Sequence, residues 1–346
     1  MKASVIIPAY NEEKTIGKTL ESLKEQSFRD FEIIVVDDGS RDRTAEIAKN
    51  SEAKVIVQKN AGPASARNEG ARNAKGEVIV FIDADCVADE RWLEHMLKPF
   101  SDKDVAGVQG AYKSSQKSLV ARFTQLDIED RYKRLERKAD QLDWIGSYSA
   151  AYRKKIFLEL DGFDEDFPTA SGEDPELSFK VSRKGCKLVF KRNAIVYHFH
   201  ETSLLKYLRT KFYRAYWRVL LYSKHTRKIV TDSYTPQELK LQILFLYAGT
   251  FFSVLTITGI NMPFFVNGFD LSLTQKRMVL STVICTGSFV LTTLPFTIEA
   301  MRKDFFAGVL SPVFIFFRTF AFSLGLIYGA VRGKWLASLI KKILNR

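Results

Sequence analysis

Short apolar runs alternate with amphipathic stretches through the first part of the chain. Ser4-Val5-Ile6-Ile7-Pro8 reads as a strand, and Lys14 to Gln26 as a helix with Ile16, Leu20 and Leu23 on one face. Glu32 to Val36 is a second strand, Thr44 to Lys49 a helix, and Val55 to Val57 a third strand. Ala64 to Ala74 is helical and leads to the apolar run Val78 to Ile82. Strands alternating with helices predict an α/β domain: a mostly parallel sheet with helices on both faces. Ligands of such sheets bind outside the carboxyl ends of the strands. Polar residues gather at those ends here: Ala9-Tyr10-Asn11-Glu12, Asp37-Asp38, Lys59-Asn60 and Asp83-Ala84-Asp85.

The last of these clusters carries the most chemistry. Asp83 and Asp85 follow a buried strand at i, i+2, which puts both carboxylates on one side if the strand continues. Adjacent carboxylates repel unless a cation lies between them, and Mg²⁺ or Mn²⁺ takes oxygen ligands from carboxylates and a substrate diphosphate. The plainer alternative is that Asp85 or Asp89 caps the helix beginning at Trp92-Leu93.

Beyond residue 240 the pattern changes. Leu241 to Ile260 and Met278 to Ile298 hold no charge, and each is about 30 Å long as a helix, enough to cross a bilayer. Asp270, Lys276 and Arg277 lie in the turn between them. A third apolar segment, 305–331, contains Pro312 and a central Arg318, a charge that must face protein, water or an anion. Basic clusters precede the first span (Lys224, Arg227, Lys228, Lys240) and follow the second (Arg302, Lys303) and third (Arg332, Lys334, Lys341, Lys342). Positive charge marks the cytoplasmic side, so the third segment is expected to be re-entrant or interfacial rather than a single crossing. Met1-Lys2-Ala3 runs straight into a strand too short for a signal sequence, so a cytoplasmic catalytic domain at the cell membrane is expected. The expected boundaries are 1–220 for the catalytic domain, 205–240 for a basic amphipathic segment, 241–331 for the membrane region and 332–346 for a basic tail.

Among 346 residues 46% are hydrophobic, enough for a sizeable core, and the net charge of +12 calls for an anionic partner. Three cysteines without metal-type spacing argue against a disulfide scaffold. Residues 191–240 carry eleven Lys/Arg against three Asp/Glu, interleaved with aromatic residues. Directly before an apolar span this composition suits anionic headgroups, and nucleic acid is not expected. The long charged helix at Ser118 to Lys138 is either a core helix or one at a membrane surface.

Several segments together resemble the family 2 glycosyltransferases of GT-A fold. They are Ser4 to Glu12, Val35 to Ser40, Asn60 to Asn68, Asp83-Ala84-Asp85, Gly146 to Arg153, Gly162-Phe163-Asp164, Gly172-Glu173-Asp174 and Val196-Tyr197-His198, spanning about residues 3–220. The resemblance implies inverting transfer of a sugar from a UDP- or GDP-linked donor. It assigns Pro8, Ala9, Tyr10, Glu12 and Asp38 to the nucleoside side, and Asn60, Gly62 and Arg67 to the diphosphate side. Glu12 may equally favour a helix dipole, and Arg67 either pairs with phosphate or locks Asp83. Asp83, Ala84 and Asp85 frame the metal. His198 is the family-matched third ligand, although His200 shares its face at i+2. Glu173-Asp174 matches the acidic pair, with Asp174 the expected base and helix capping its alternative role. Arg209, Lys211 and Arg214 fall near a basic-aromatic motif, but Ala215 follows Arg214, so the motif of processive synthases is absent. With the apolar tail, the implied acceptor is lipid-linked; a soluble or polymeric saccharide is the alternative. A sugar nucleotidyltransferase would want a Gly-rich loop after the first strand, and Pro8-Ala9-Tyr10-Asn11 is not one. A non-catalytic binding module would have lost the acidic positions.

Overall fold

The structure is a computed structural model and describes residues 2–138, 142–167, 169, 171–229, 235–258 and 271–332. Ile260, Asp270, Lys334, Lys341, Lys342 and the basic tail after Arg332 lie outside the described residues. In chain order the first elements are β1 (Ala3–Ala9), α1 (Ile16–Lys24), β2 (Phe31–Asp37), α2 (Thr44–Lys49), β3 (Lys54–Val57), α3 (Pro63–Asn73) and β4 (Val78–Ile82). Then follow β5 (Cys86–Ala88), α4 (Trp92–Leu97), β6 (Val105–Lys113), α5 (Leu119–Arg137), β7 (Ser149–Arg153), α6 (Lys154–Glu159), α7 (Glu173–Arg183), β8 (Lys187–His198) and α8 (Leu204–Lys224). The helices α9 (Gln237–Thr258), α10 (Leu271–Lys303), α11 (Phe305–Val309) and α12 (Ser311–Arg332) complete the set.

Eight strands form one sheet in the order β3-β2-β1-β4-β7-β6-β8-β5. The first four pair in parallel, as the alternation requires. The sheet is mixed: in its second half β6 and β8 pair in parallel, while β7 is antiparallel to both β4 and β6, and β5 antiparallel to β8. Alternate residues of the same strands feed two cores. Ile6, Ile34, Val36, Ile79 and Phe81 face one side, and Val5, Ile7, Val35, Val80 and Ile82 the other. Both faces are covered, which is why these strands are apolar throughout. The parallel register sets Ala9 beside Asp37, so the polar strand ends share one edge.

The chain divides into two compact units. The first comprises residues 1–203 with 217–234 and 329–346, and the second residues 204–216 with 235–328. In the second unit, three helices among the described residues are long and apolar enough to cross a membrane: Gln237–Thr258, Gln275–Lys303 and Ser311–Arg332. The segment expected as one piece from 305 is broken: Asp304 caps α11 by accepting from the Ala307 N–H, and Pro312 sits in the first turn of α12. Gly325 lets α12 approach α8, since a Cβ there would meet the Phe212 carbonyl oxygen at 2.2 Å. Arg318 donates to Gln242 Oε1 at 3.2 Å, so this charge faces protein. Leu244, Phe251, Val254, Val283 and Leu291 are exposed along α9 and α10.

Candidate active site

The site is built on the carboxyl edge of β1, β2 and β4. The loop after β1 is tied to the loop after β2 by Asn11, whose N–H donates to Ser40 Oγ at 2.9 Å and whose Oδ1 accepts from the Arg41 N–H at 2.8 Å. Asn11 takes the left-handed region at φ 57°, a conformation its short polar side chain tolerates. Within this frame Pro8 is half-buried, Ala9 buried, and Tyr10 exposed.

Asp38 lies at the hub of the next loop. Its carboxylate accepts from Gln58 Nε2 at 2.7 Å and from the Ala61 and Gly62 N–H groups at 2.8 Å each. Its carbonyl oxygen accepts from Asn60 Nδ2 at 3.0 Å. Gly62, at φ 93°, turns the chain into α3, with Pro63 at its first position. These three donors make Asp38 a brace for the 58–62 loop, beside the nucleoside contact that the resemblance implies. Neighbouring Asp37, which the sequence placed at the strand end without a role, is buried, and its Oδ1 has no partner among the described residues.

Arg67 is 3% exposed and bridges two carboxylates, Asp83 Oδ1 at 2.8 Å and Glu173 Oε1 at 3.3 Å. Burial would lower its proton affinity, but Asp83 and Glu173 raise it above the ordinary arginine value. Arg67 thus locks Asp83, the second of its two expected roles. Glu173 is 1% exposed. Its Oε2 accepts from the Ser171 and Gly172 N–H groups at 2.8 and 3.0 Å. Both Glu173 oxygens are occupied: this carboxylate closes the start of α7 and balances Arg67. α7 begins at Glu173, so Asp174 lies in its first turn. Asp174 is half-buried.

Asp83 and Asp85 lie in the turn after β4, and there they part. Asp83 Oδ2 accepts from the Tyr112 hydroxyl at 3.3 Å, while Asp85 Oδ2 is 3.1 Å from His198 Nε2. At the start of α4 Asp89 Oδ1 accepts from the Arg91 N–H at 3.3 Å, so the capping alternative falls to Asp89, while Asp85 is turned to His198. Ala84, between them, is buried, and its carbonyl accepts from Thr19 Oγ1. Burial would raise the Asp85 pKa, but the hydrogen bond and charge of His198 hold it below the usual value. Glu12 faces the same region. Burial raises its pKa first, and Asp85 and Asp83 add to that, against the Thr15 hydrogen bond. Cys86, buried beside both aspartates, is pushed well above the ordinary thiol value by burial and then by their charges.

The two histidines are resolved by their contacts. His198 Nδ1 is 3.0 Å from His200 Nδ1, and His200 Nε2 is 2.9 Å from Gln125 Oε1. The Gln125 amide nitrogen is committed to the Tyr112 carbonyl at 3.2 Å, so its oxygen faces His200 and accepts. Hydrogen-bond bookkeeping then makes His200 Nδ1 the acceptor and His198 Nδ1 the donor. His198 Nε2 and the Asp85 carboxylate, 3.1 Å apart, then need a cation between them, a proton or a metal ion. That arrangement fits a divalent cation, with His198 facing it and His200 orienting His198 from behind. Among the described residues, no group of three His, Cys, Asp or Glu side chains has converged to metal-holding geometry.

Beneath the carboxylates lies an aromatic stack that the sequence did not signal. The Tyr112 ring is stacked between Tyr148, at 3.9 Å between centroids, and His198, at 4.5 Å. The Tyr148 and Tyr132 hydroxyls are 2.9 Å apart. A tyrosine inside an apolar strand such as β6 reads as ordinary core; only its distant partners reveal its place. Arg209, Lys211, Arg214 and Arg318 belong to the second unit. There Arg209 lies over the Tyr213 ring and Lys211 over that of Tyr207.

The sequence profile of Glycosyl transferase family 2 matches residues 4–160. The chain is 30% identical over 213 residues to the O-antigen chain rhamnosyltransferase RfbN of Salmonella typhimurium, covering 58% of this chain and 67% of that protein. It is 26% identical over 234 residues to chondroitin synthase of Escherichia coli, covering 56% of this chain but only 34% of that protein. The chain thus spans about a third of the longer relative. Among solved structures, the mannosyltransferase PcManGT from Pyrobaculum calidifontis, in complex with GDP-Man and Mn²⁺, is similar over 96% of this chain and 87% of that one. Its TM-score is 0.57 at 20% identity, a likeness of GT-A-like fold. With the profile, the rhamnosyltransferase and the sheet in agreement, the chain belongs to glycosyl transferase family 2.

Proposed function

We propose that this protein is a membrane-anchored, inverting glycosyltransferase that moves a sugar from a nucleotide-diphosphate donor to a lipid-linked acceptor. The observation that carries the donor site is the meeting of Glu12, Asp83, Asp85 and His198 at the sheet edge, where the two aspartates add to the raised proton affinity of Glu12 and His198 Nε2 lies 3.1 Å from Asp85 Oδ2. Asp83, Asp85 and His198 would hold Mg²⁺ or Mn²⁺. A bound divalent ion would offset the diphosphate charge and stabilise the departing nucleoside diphosphate.

The chain's own groups do the rest. The 58–62 loop, braced by Asp38, offers Asn60 and the close backbone approach at Gly62 to the donor. Tyr10 presents an exposed ring beside it. Asp174 takes the proton of the acceptor hydroxyl as the sugar is transferred with inversion. Arg67, through Glu173, keeps the start of α7 in register with Asp83, so the base and the donor carboxylates are set by one side chain. The lipid-linked acceptor is supported by three helices long and apolar enough to cross a membrane. The basic clusters at Lys224–Lys228 and Arg302–Lys303 support a cytoplasmic catalytic unit.

The test is a product assay with the full chain, UDP- and GDP-sugars, Mn²⁺ and a polyprenyl-linked saccharide, whose sugar hydroxyl is the acceptor. Mass spectrometry of the lipid fraction should find the glycosylated lipid. Release of nucleoside diphosphate with a soluble saccharide, and none with the lipid, would contradict the acceptor.

A further inference from the structure

The first unit contains a cavity of about 510 Å³ that shares no residue with the carboxylate–histidine site. Its wall is Phe179, Ser182 and Arg183 of α7 together with the run Lys224 to Lys228. Four permanent cations therefore meet here. Lys224 is paired with Asp164 and Asp166, and Lys228 with Asp143. Arg183 and Arg227 are not neutralised in this way. Arg183 Nη2 lies 2.7 Å from His225 Nδ1, and among the described residues Arg227 has no ion pair.

His225 defines the polarity of the wall. It is 7% exposed. A guanidinium only donates, so Nδ1 accepts from Arg183 and the ring proton resides on Nε2. That Nε2 lies 3.5 Å from Glu176 Oε1 and makes no hydrogen bond, which leaves a buried donor unsatisfied. With the Ser182 and Thr226 hydroxyls, the cavity wall combines two guanidinium groups and two hydroxyls, while the His225 Nε2–H faces Glu176. Planar guanidinium forks with added donors suit phosphate oxygens better than a lone carboxylate. The volume exceeds what a phosphate alone needs, and Phe179 supplies an apolar wall for an organic body.

We infer that this cavity is a second anion site, which binds the phosphate group of a phosphoester. Such a group comes from a lipid headgroup or from a free phosphate. Only residues 229–236 separate the cavity from α9 along the chain.

The test is calorimetric titration of the full chain in neutral detergent with inorganic phosphate and, separately, with dihexanoyl phosphatidic acid, using dihexanoyl phosphatidylcholine as the uncharged control. Wild type, Arg227→Glu and Arg183→Gln are compared. One saturable event is expected, weakened roughly tenfold or more in each variant that retains the wild-type melting temperature. Binding of phosphatidic acid alone identifies a headgroup; binding of inorganic phosphate that competes with it identifies free phosphate as sufficient. Absence of saturable binding by either probe, or binding unchanged in Arg227→Glu, overturns the inference. Arg227 is exposed, so its substitution reads the site even if Arg183→Gln fails to fold.

Discussion

Replacing Arg67 by methionine removes the cation that joins Asp83 to Glu173 while keeping most of the side chain's bulk. Glu173, 1% exposed, then keeps two backbone N–H donors but loses its counter-charge. Removing one partner of a buried pair costs about 3–5 kcal/mol, because the other charge stays buried. Asp83 is 29% exposed and adds little, since water can solvate it. At roughly 2–4 °C per kcal/mol for a domain of 150–250 residues, the melting temperature should fall by about 6–20 °C. Differential scanning fluorimetry of the full chain in detergent reads this directly. The double variant Arg67→Met/Glu173→Gln should recover much of the loss, because neither buried charge remains. A single variant that melts within about 2 °C of wild type, or a double variant no better than the single, would refute the bridge as an energetic element.

Other expectations follow from the same site. Asp174→Asn should bind donor normally and lose about 10²–10⁴ in kcat, and near-normal turnover would remove it as the base. His200→Ala should weaken Mn²⁺ binding about 10–100-fold with an unchanged melting temperature, whereas His198→Ala should abolish it; equal and small effects would reject the orienting role. Glu12 takes up a proton above the ordinary value of 4.5. Mn²⁺ affinity should therefore fall as pH is lowered toward that value, and Glu12→Gln should flatten the dependence; identical pH profiles would separate Glu12 from the cation.

The first half of the sheet was legible because its signals are local. The run Val78 to Ile82 and the stretch Thr44 to Lys49 match β4 and α2 residue for residue, since apolar runs and short amphipathic turns carry their own boundaries. The second half was not. Whether β7 runs with or against β4 is decided by pairing Val78 with Arg153, a choice that local pattern does not hold. Within the site, spacing pointed to Asp83 and Asp85 and the family resemblance to His198, but equivalents were left unresolved. Glu173 and Asp174 are neighbours of like chemistry, and only Arg67, 106 positions from Glu173, distinguishes the buried one. His198 and His200 share a face, and Gln125 separates them by occupying His200. Tyr112 lay hidden because its significance comes from stacking on a residue far along the chain.

The central claim is that Asp85 and His198 seat a divalent cation on which donor binding depends. Calorimetric titration of the full chain with GDP- and UDP-sugars, with Mn²⁺ and in its absence, tests it most directly. The account predicts that affinity rises roughly tenfold or more with Mn²⁺ and that Asp85→Asn, folded as wild type, loses the rise. Equal affinity with and without the ion in the wild-type protein, or a rise that survives in Asp85→Asn, would contradict it.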